Sequence, residues 1–182
     1  MEVQARIEKE KITWFSMWFM SSVATLGLTF FPMFHRLINS RNIHFQREAK
    51  LDRKIASYLE KQGRRVPELP EPAEEMNAKA WTASIILIIP AFLIMYYLSR
   101  DLKIHEEKQD NFLASVFPKR MFMTQTIPIK KYALITLVTL GIGGIYWLYK
   151  LANAYNAHFK AQWNVEQQIE GLMVDKGNGK SM

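Results

Sequence analysis

The run ITWFSMWFMSSVATLGLTFFPMF, residues 12–34, holds 23 consecutive positions without Asp, Glu, Lys, Arg or His. AWTASIILIIPAFLIMYYLS (80–99) and YALITLVTLGIGGIYWLY (132–149) repeat the pattern over 20 and 18 positions. At 1.5 Å per helical residue, each can cross roughly 30 Å of hydrocarbon, the last only just. Rings cluster at the ends of the runs, as at Trp14, Trp18, Trp81, Tyr97, Tyr132 and Trp147, and such amphipathic rings favour headgroup depth. The sequence therefore predicts an all-α integral membrane protein with three transmembrane helices and a cell-membrane, multi-pass location. The mean hydropathy of −0.11 conceals this, because strongly charged flanks cancel the apolar runs.

An internal repeat sets the expected topology. Shifting the chain by 114 positions lays Thr25-Leu26-Gly27 on Thr139-Leu140-Gly141, Asn39 on Asn153, Asn42 on Asn156, and His44-Phe45 on His158-Phe159. With one span between the copies, the first and third helices read as parallel repeats, each with a long polar helical extension on the same membrane side. The expected organisation is a first repeat over 1–63, a Pro-rich linker over 64–72, a second span with its connector over 73–128, a second repeat over 129–174 and a flexible tail over 175–182. Pro90 is expected to kink the second span at its centre. Lys and Arg are almost evenly divided between the two sides, with a slight lean towards a cytoplasmic C-terminus.

Little points to chemistry. Cysteine is absent, which excludes disulfides, thiolate metal sites and cysteine nucleophiles. No phosphate-binding glycine loop, serine elbow or carboxylate pair is present. The net charge of +7 reads as a match to anionic headgroups, not to nucleic acid. His44 and His158 occupy equivalent repeat positions and could meet. His105 is expected on the opposite membrane face, which leaves too few donors for a closed zinc site unless Glu48 and Glu166 join. The reading is thus of no enzyme, no cofactor and no metal.

The residues singled out are packing and interaction elements. Gly27, Gly141 and Gly144 allow close helix approach, while Asn39, Asn42, His44, Phe45, Asn153, Asn156, His158 and Phe159 form the paired faces of the two extensions. The expected role is that of an accessory or assembly subunit contacting membrane lipids and other integral membrane proteins. The alternative is a homo-oligomeric pore or small-solute carrier.

Thr139 to Lys150, followed by Asn156-Ala157-His158-Phe159 and Gln162-Trp163, resembles a family of small archaeal and bacterial membrane proteins known only as a domain of unknown function. Leu102 to Leu113 looks like the segment preceding that span in archaeal members. The resemblance implies a multi-pass helical fold and supplies no catalytic residue. The first copy departs from it, with Pro32 and Met33 standing where Tyr146 and Trp147 do.

Overall fold

The computed structural model describes residues 12–117 and 127–178. They form six α-helices: α1 (Phe15–Ala24), α2 (Phe30–Lys61), α3 (Ala78–Ser84), α4 (Ile89–Val116), α5 (Ile129–Val138) and α6 (Ile142–Asn178), with a 3-10 turn at Ile85–Leu87 between α3 and α4. No helix among the described residues is long and apolar enough to cross a membrane. This corrects the expectation of three transmembrane helices, and the reason lies inside each charge-free run.

Every run reverses direction near its middle. At Thr25–Gly27, Leu26 and Gly27 take φ values of +50° and +91°, and the Gly27 amide donates to the Ser22 carbonyl at 2.7 Å. A bond of that span closing a helix on a left-handed residue is a Schellman ending. The second Thr-Leu-Gly triplet does the same: Leu140 and Gly141 lie at +49° and +98°, and Gly141 donates to Thr136 at 2.8 Å. The middle run reverses at Ile88 (φ +63°), a conformation that β-branched residues rarely adopt. Pro90 follows at once. It therefore occupies the first turn of α4, where its missing N–H removes no helical bond, and the expected kink at the centre of a span does not exist.

The result is three helical hairpins, each with a short arm (α1, α3, α5) folded back on the start of a long helix (α2, α4, α6). The long helices run in the same direction. Phe92 lies against Gly144, Trp147 Nε1 donates to Ser99 Oγ at 3.0 Å, and Tyr155 donates its hydroxyl proton to the Leu98 carbonyl at 3.0 Å. All three turns consequently sit at one end of the bundle.

The core has two apolar parts. Met33, Leu37, Leu98, Leu102 and Leu151 fill the turn-proximal half, and Ile55, Leu59, Leu113, Val165 and Ile169 the distal half. Burying each such side chain contributes about 1.5–3 kcal/mol. At the far end, Gly63 (φ +65°) closes α2, and residues 64–77 run without helix until Asn77 caps α3 by accepting from the Ala80 amide at 3.0 Å. α6 continues past the expected boundary at 174 as far as Asn178. Most of the connector after Pro118 lies outside the described residues.

The glycines divide by role. Gly27 and Gly141 are turn residues. The approach least able to yield belongs to Gly143, where a Cβ would stand 2.7 Å from Ile135 Cγ2 and 3.0 Å from the Ile135 carbonyl carbon. At Gly144 a Cβ would meet Phe92 Cε1 at 2.6 Å, a ring that can shift. Gly143→Ala is therefore expected to destabilise the α5–α6 hairpin by about 1–3 kcal/mol, the usual cost of overpacking. Thermal unfolding of the variant beside Gly27→Ala, whose Cβ would make an ordinary contact with Phe30 at 3.9 Å and meet only an unfavourable φ, checks the assignment.

Candidate metal centre

Between the two apolar halves lies a layer of polar side chains, one set from each long helix. The helical repeat places Arg41, His44, Glu48 and Asp52 on one face of α2, His105 and Gln109 on one face of α4, and His158, Gln162 and Glu166 on one face of α6. Each histidine stands 17 positions beyond the left-handed residue of its own turn: His44 after Gly27, His105 after Ile88 and His158 after Gly141. In parallel helices that start together, equal spacing means equal height. The three rings meet, with centroids 4.7 Å apart for His44 and His158 and 5.3 Å for each of the other two pairs.

His105 thus joins the site that the spanning topology had denied it. Once the runs fold back, there is no opposite face for it to occupy.

Four donor atoms converge, one each from His44, Glu48, His105 and His158, all within 4.8 Å of one another. His44 Nε2 and His158 Nε2 are 2.7 Å apart, and Glu48 Oε2 is 3.4 Å from His44 Nε2. Glu48 Oε2 also presses against His105 Nε2, yet neither atom makes a hydrogen bond. Both His44 and His158 are fully buried, and Glu48 is 2 % exposed.

Burial fixes the protonation. It drives the His44 imidazole well below its usual range, helped by His158, His105 and Arg47, and takes His105 down to about 3. His158 is lowered by burial as well, although its hydrogen bond to Glu106 opposes the shift. Burial raises Glu48 to about 8 and Asp52 to about 7, the latter with help from Glu48. A neutral imidazole carries a lone pair on one ring nitrogen, the form in which histidine ligates a metal.

A supporting shell surrounds these donors. Glu106, itself 1 % exposed, has its Oε1 3.1 Å from His158 Nδ1, which fixes the ring and leaves Nε2 facing the cluster. Phe45 stacks on His105 with centroids 4.2 Å apart and carries the Arg41 guanidinium at 4.5 Å on its ring. Phe159 lies 4.9 Å from the His44 ring. Arg47 pairs with Glu166 at 2.8 Å. Glu48 Oε1, Asp52 Oδ1, Gln109 Nε2 and both polar atoms of Gln162 are buried without a hydrogen-bond partner among the described residues. Buried polar atoms left this way cost about 1–3 kcal/mol each, so the layer is poor as packing alone. A cavity of about 470 Å³ opens beside Glu48 and His105, walled on its outer side by Pro70 to Asn77.

The repeated asparagines serve the chain itself. Asn42 donates to the Met76 carbonyl at 2.7 Å and accepts from the Met76 amide at 3.2 Å. Asn156 holds Thr13 in the same two-way fashion at 2.8 and 2.9 Å. Each tethers the segment that leads into a hairpin's short arm. Asn39 and Asn153 are exposed.

A family described only as a domain of unknown function (DUF4234) matches residues 128–176. That stretch contains α5, the Gly141 turn and the part of α6 that carries His158, and leaves His44, Glu48 and His105 unmatched. No curated protein matches the chain, and no solved structure does.

Proposed function

We propose that this chain is a metal-binding helical protein in which His44, Glu48, His105 and His158 hold one divalent transition-metal ion, and that the centre is structural, not catalytic. The observation that carries the reading is the convergence of one imidazole from each of three parallel helices on a single buried point, beside an oxygen of the buried Glu48 carboxyl.

Three nitrogens and one oxygen suit zinc, whose bonds of about 2.0–2.2 Å set tetrahedral donors roughly 3.4 Å apart. The separations of 2.7 and 3.4 Å lie at or below that spacing, close enough for rotamer adjustments to complete it. Four protein donors fill a tetrahedral shell, the closed arrangement of structural sites. Bound there, the ion would tie α2, α4 and α6 together at mid-height and neutralise a layer that is otherwise costly to bury.

Elemental analysis of the untagged, purified chain tests this, with an expected content of one zinc or comparable first-row ion per molecule. Stripping the ion with a chelator should lower the unfolding midpoint, and zinc at 1,000 times its Kd should restore about 4 kcal/mol. A metal-free protein whose midpoint ignores added zinc, iron and manganese would remove the proposal.

A further inference from the structure

The exposed large apolar side chains are not scattered. Among the described residues all of them except Leu69 and Ile104 lie on the three hairpins, with Leu26 at 96 % and Leu140 at 95 % forming two of the tips. The third tip is Ile88, 69 % exposed. Patches of this kind on a water-facing end are a liability unless something covers them.

Much of the backbone at the tips is bonded internally. Besides the closing amide bonds, the Thr25 hydroxyl donates to the Ser21 carbonyl at 2.8 Å, the Thr139 hydroxyl to Ile135 at 2.7 Å and the Ser84 hydroxyl to Trp81 at 2.7 Å. Internal bonds of this kind favour a chain that reverses in hydrocarbon, where little water is at hand for polar backbone. Leu26, Ile88 and Leu140 also hold left-handed backbone that their side chains disfavour, a strain that persists where function needs it.

Charge marks the depth. No Asp, Glu, Lys or Arg lies within eight positions of Gly27, Ile88 or Gly141. On five of the six hairpin arms the first charged group comes nine to twelve positions away and is basic: Arg36, Lys79, Arg100, Lys131 and Lys150. At 1.5 Å per residue that ring stands about 14–18 Å from the tips, against roughly 15 Å for half of a 30 Å hydrocarbon core. Aromatic rings share the level: Lys150 sits 5.6 Å from the Tyr146 centroid and Arg100 5.1 Å from that of Tyr97. A basic ring with an aromatic belt matches anionic headgroups.

We infer that the three hairpin tips embed in one leaflet of a bilayer carrying anionic lipid, so that the protein is monotopic and its polar bundle stands on a single side. The four-donor cluster, 17 positions from the turns, then lies about 26 Å from the tips, about 11 Å beyond the hydrocarbon.

Because the chain has no cysteine, single cysteines report its placement cleanly. The full-length protein, reconstituted into vesicles of phosphatidylcholine with one-quarter phosphatidylglycerol, is treated with a membrane-impermeant maleimide from either side. Cysteines at 26, 88 and 140 should stay unlabelled from both sides, and those at 53, 107 and 160 should all label from one and the same side. Leu26→Asp with Leu140→Asp, at exposed positions whose φ suits Asp, should reduce vesicle flotation more than tenfold while leaving metal content unchanged. Labelling of a tip from the face opposite the bundle, free labelling of the tips from the bundle's own side, undiminished flotation of the double variant, or tips protected by self-association without vesicles would each overturn the inference.

Discussion

His105→Ala is expected to reduce zinc affinity by well over 100-fold, whereas Glu106→Gln should reduce it by about 10–100-fold, the range for groups that orient a ligand without touching the ion. The order follows from position. His105 supplies one of the four converging donors, while Glu106 acts on His158 through its Nδ1 side at 3.1 Å. Competition titration with a chromogenic chelator gives both numbers. Equal, small effects of the two substitutions would show that the imidazoles serve packing alone.

Arg41→Met is expected to lower stability by about 3 kcal/mol. Arg41 is 2 % exposed and donates to Asp101 Oδ2 at 2.7 Å, to the Asn42 side-chain oxygen at 3.0 Å and to the Glu74 carbonyl at 2.5 Å. Removing one partner of a buried pair leaves the other charge poorly compensated and costs about 3–5 kcal/mol. Here Arg100 also reaches Asp101, at 3.0 Å, which places the effect at the low end. For a chain of this length the unfolding midpoint should fall by about 6–12 °C. The segment from Glu74 to Asn77 loses one tether and keeps the Asn42 clamp, so metal content should be preserved. A variant as stable as the parent would mean that the Arg41 contacts contribute nothing net.

Helical character and the special status of residues 12–34, 80–99 and 132–149 were legible in the sequence, as was the pairing of His44 with His158. The reversals were not. Hydropathy registers how long an apolar run is, and says nothing of whether the helix within it is continuous. Thr25-Leu26-Gly27 and Thr139-Leu140-Gly141 did carry a signal, since a threonine that can bond back to the preceding turn and a glycine free to adopt positive φ together favour a helix ending. Ile88 carried none, because no residue preference marks an isoleucine for left-handed backbone.

The consequence reached the site. Placing a full span between the two Thr-Leu-Gly copies put His105 across the membrane from His44 and His158. The common spacing of 17 residues would have brought it back, but that spacing becomes visible only once Ile88 is known to be a turn. Glu48 was named only as a possible helper, and Glu166, named beside it, pairs with Arg47 at 2.8 Å. Asn42 and Asn156 stood out through recurrence. What they hold, the backbone of Met76 and Thr13, depended on the hairpins that hydropathy could not reveal.

X-ray absorption on the purified full-length chain tests the metal centre most directly. It should show one first-row ion per molecule coordinated by nitrogen and oxygen alone at about 2.0–2.2 Å, with imidazole scattering that weakens in His44→Ala, His105→Ala and His158→Ala alike. A spectrum unchanged by any one of these three substitutions, or a folded protein that takes up no ion, would contradict the account.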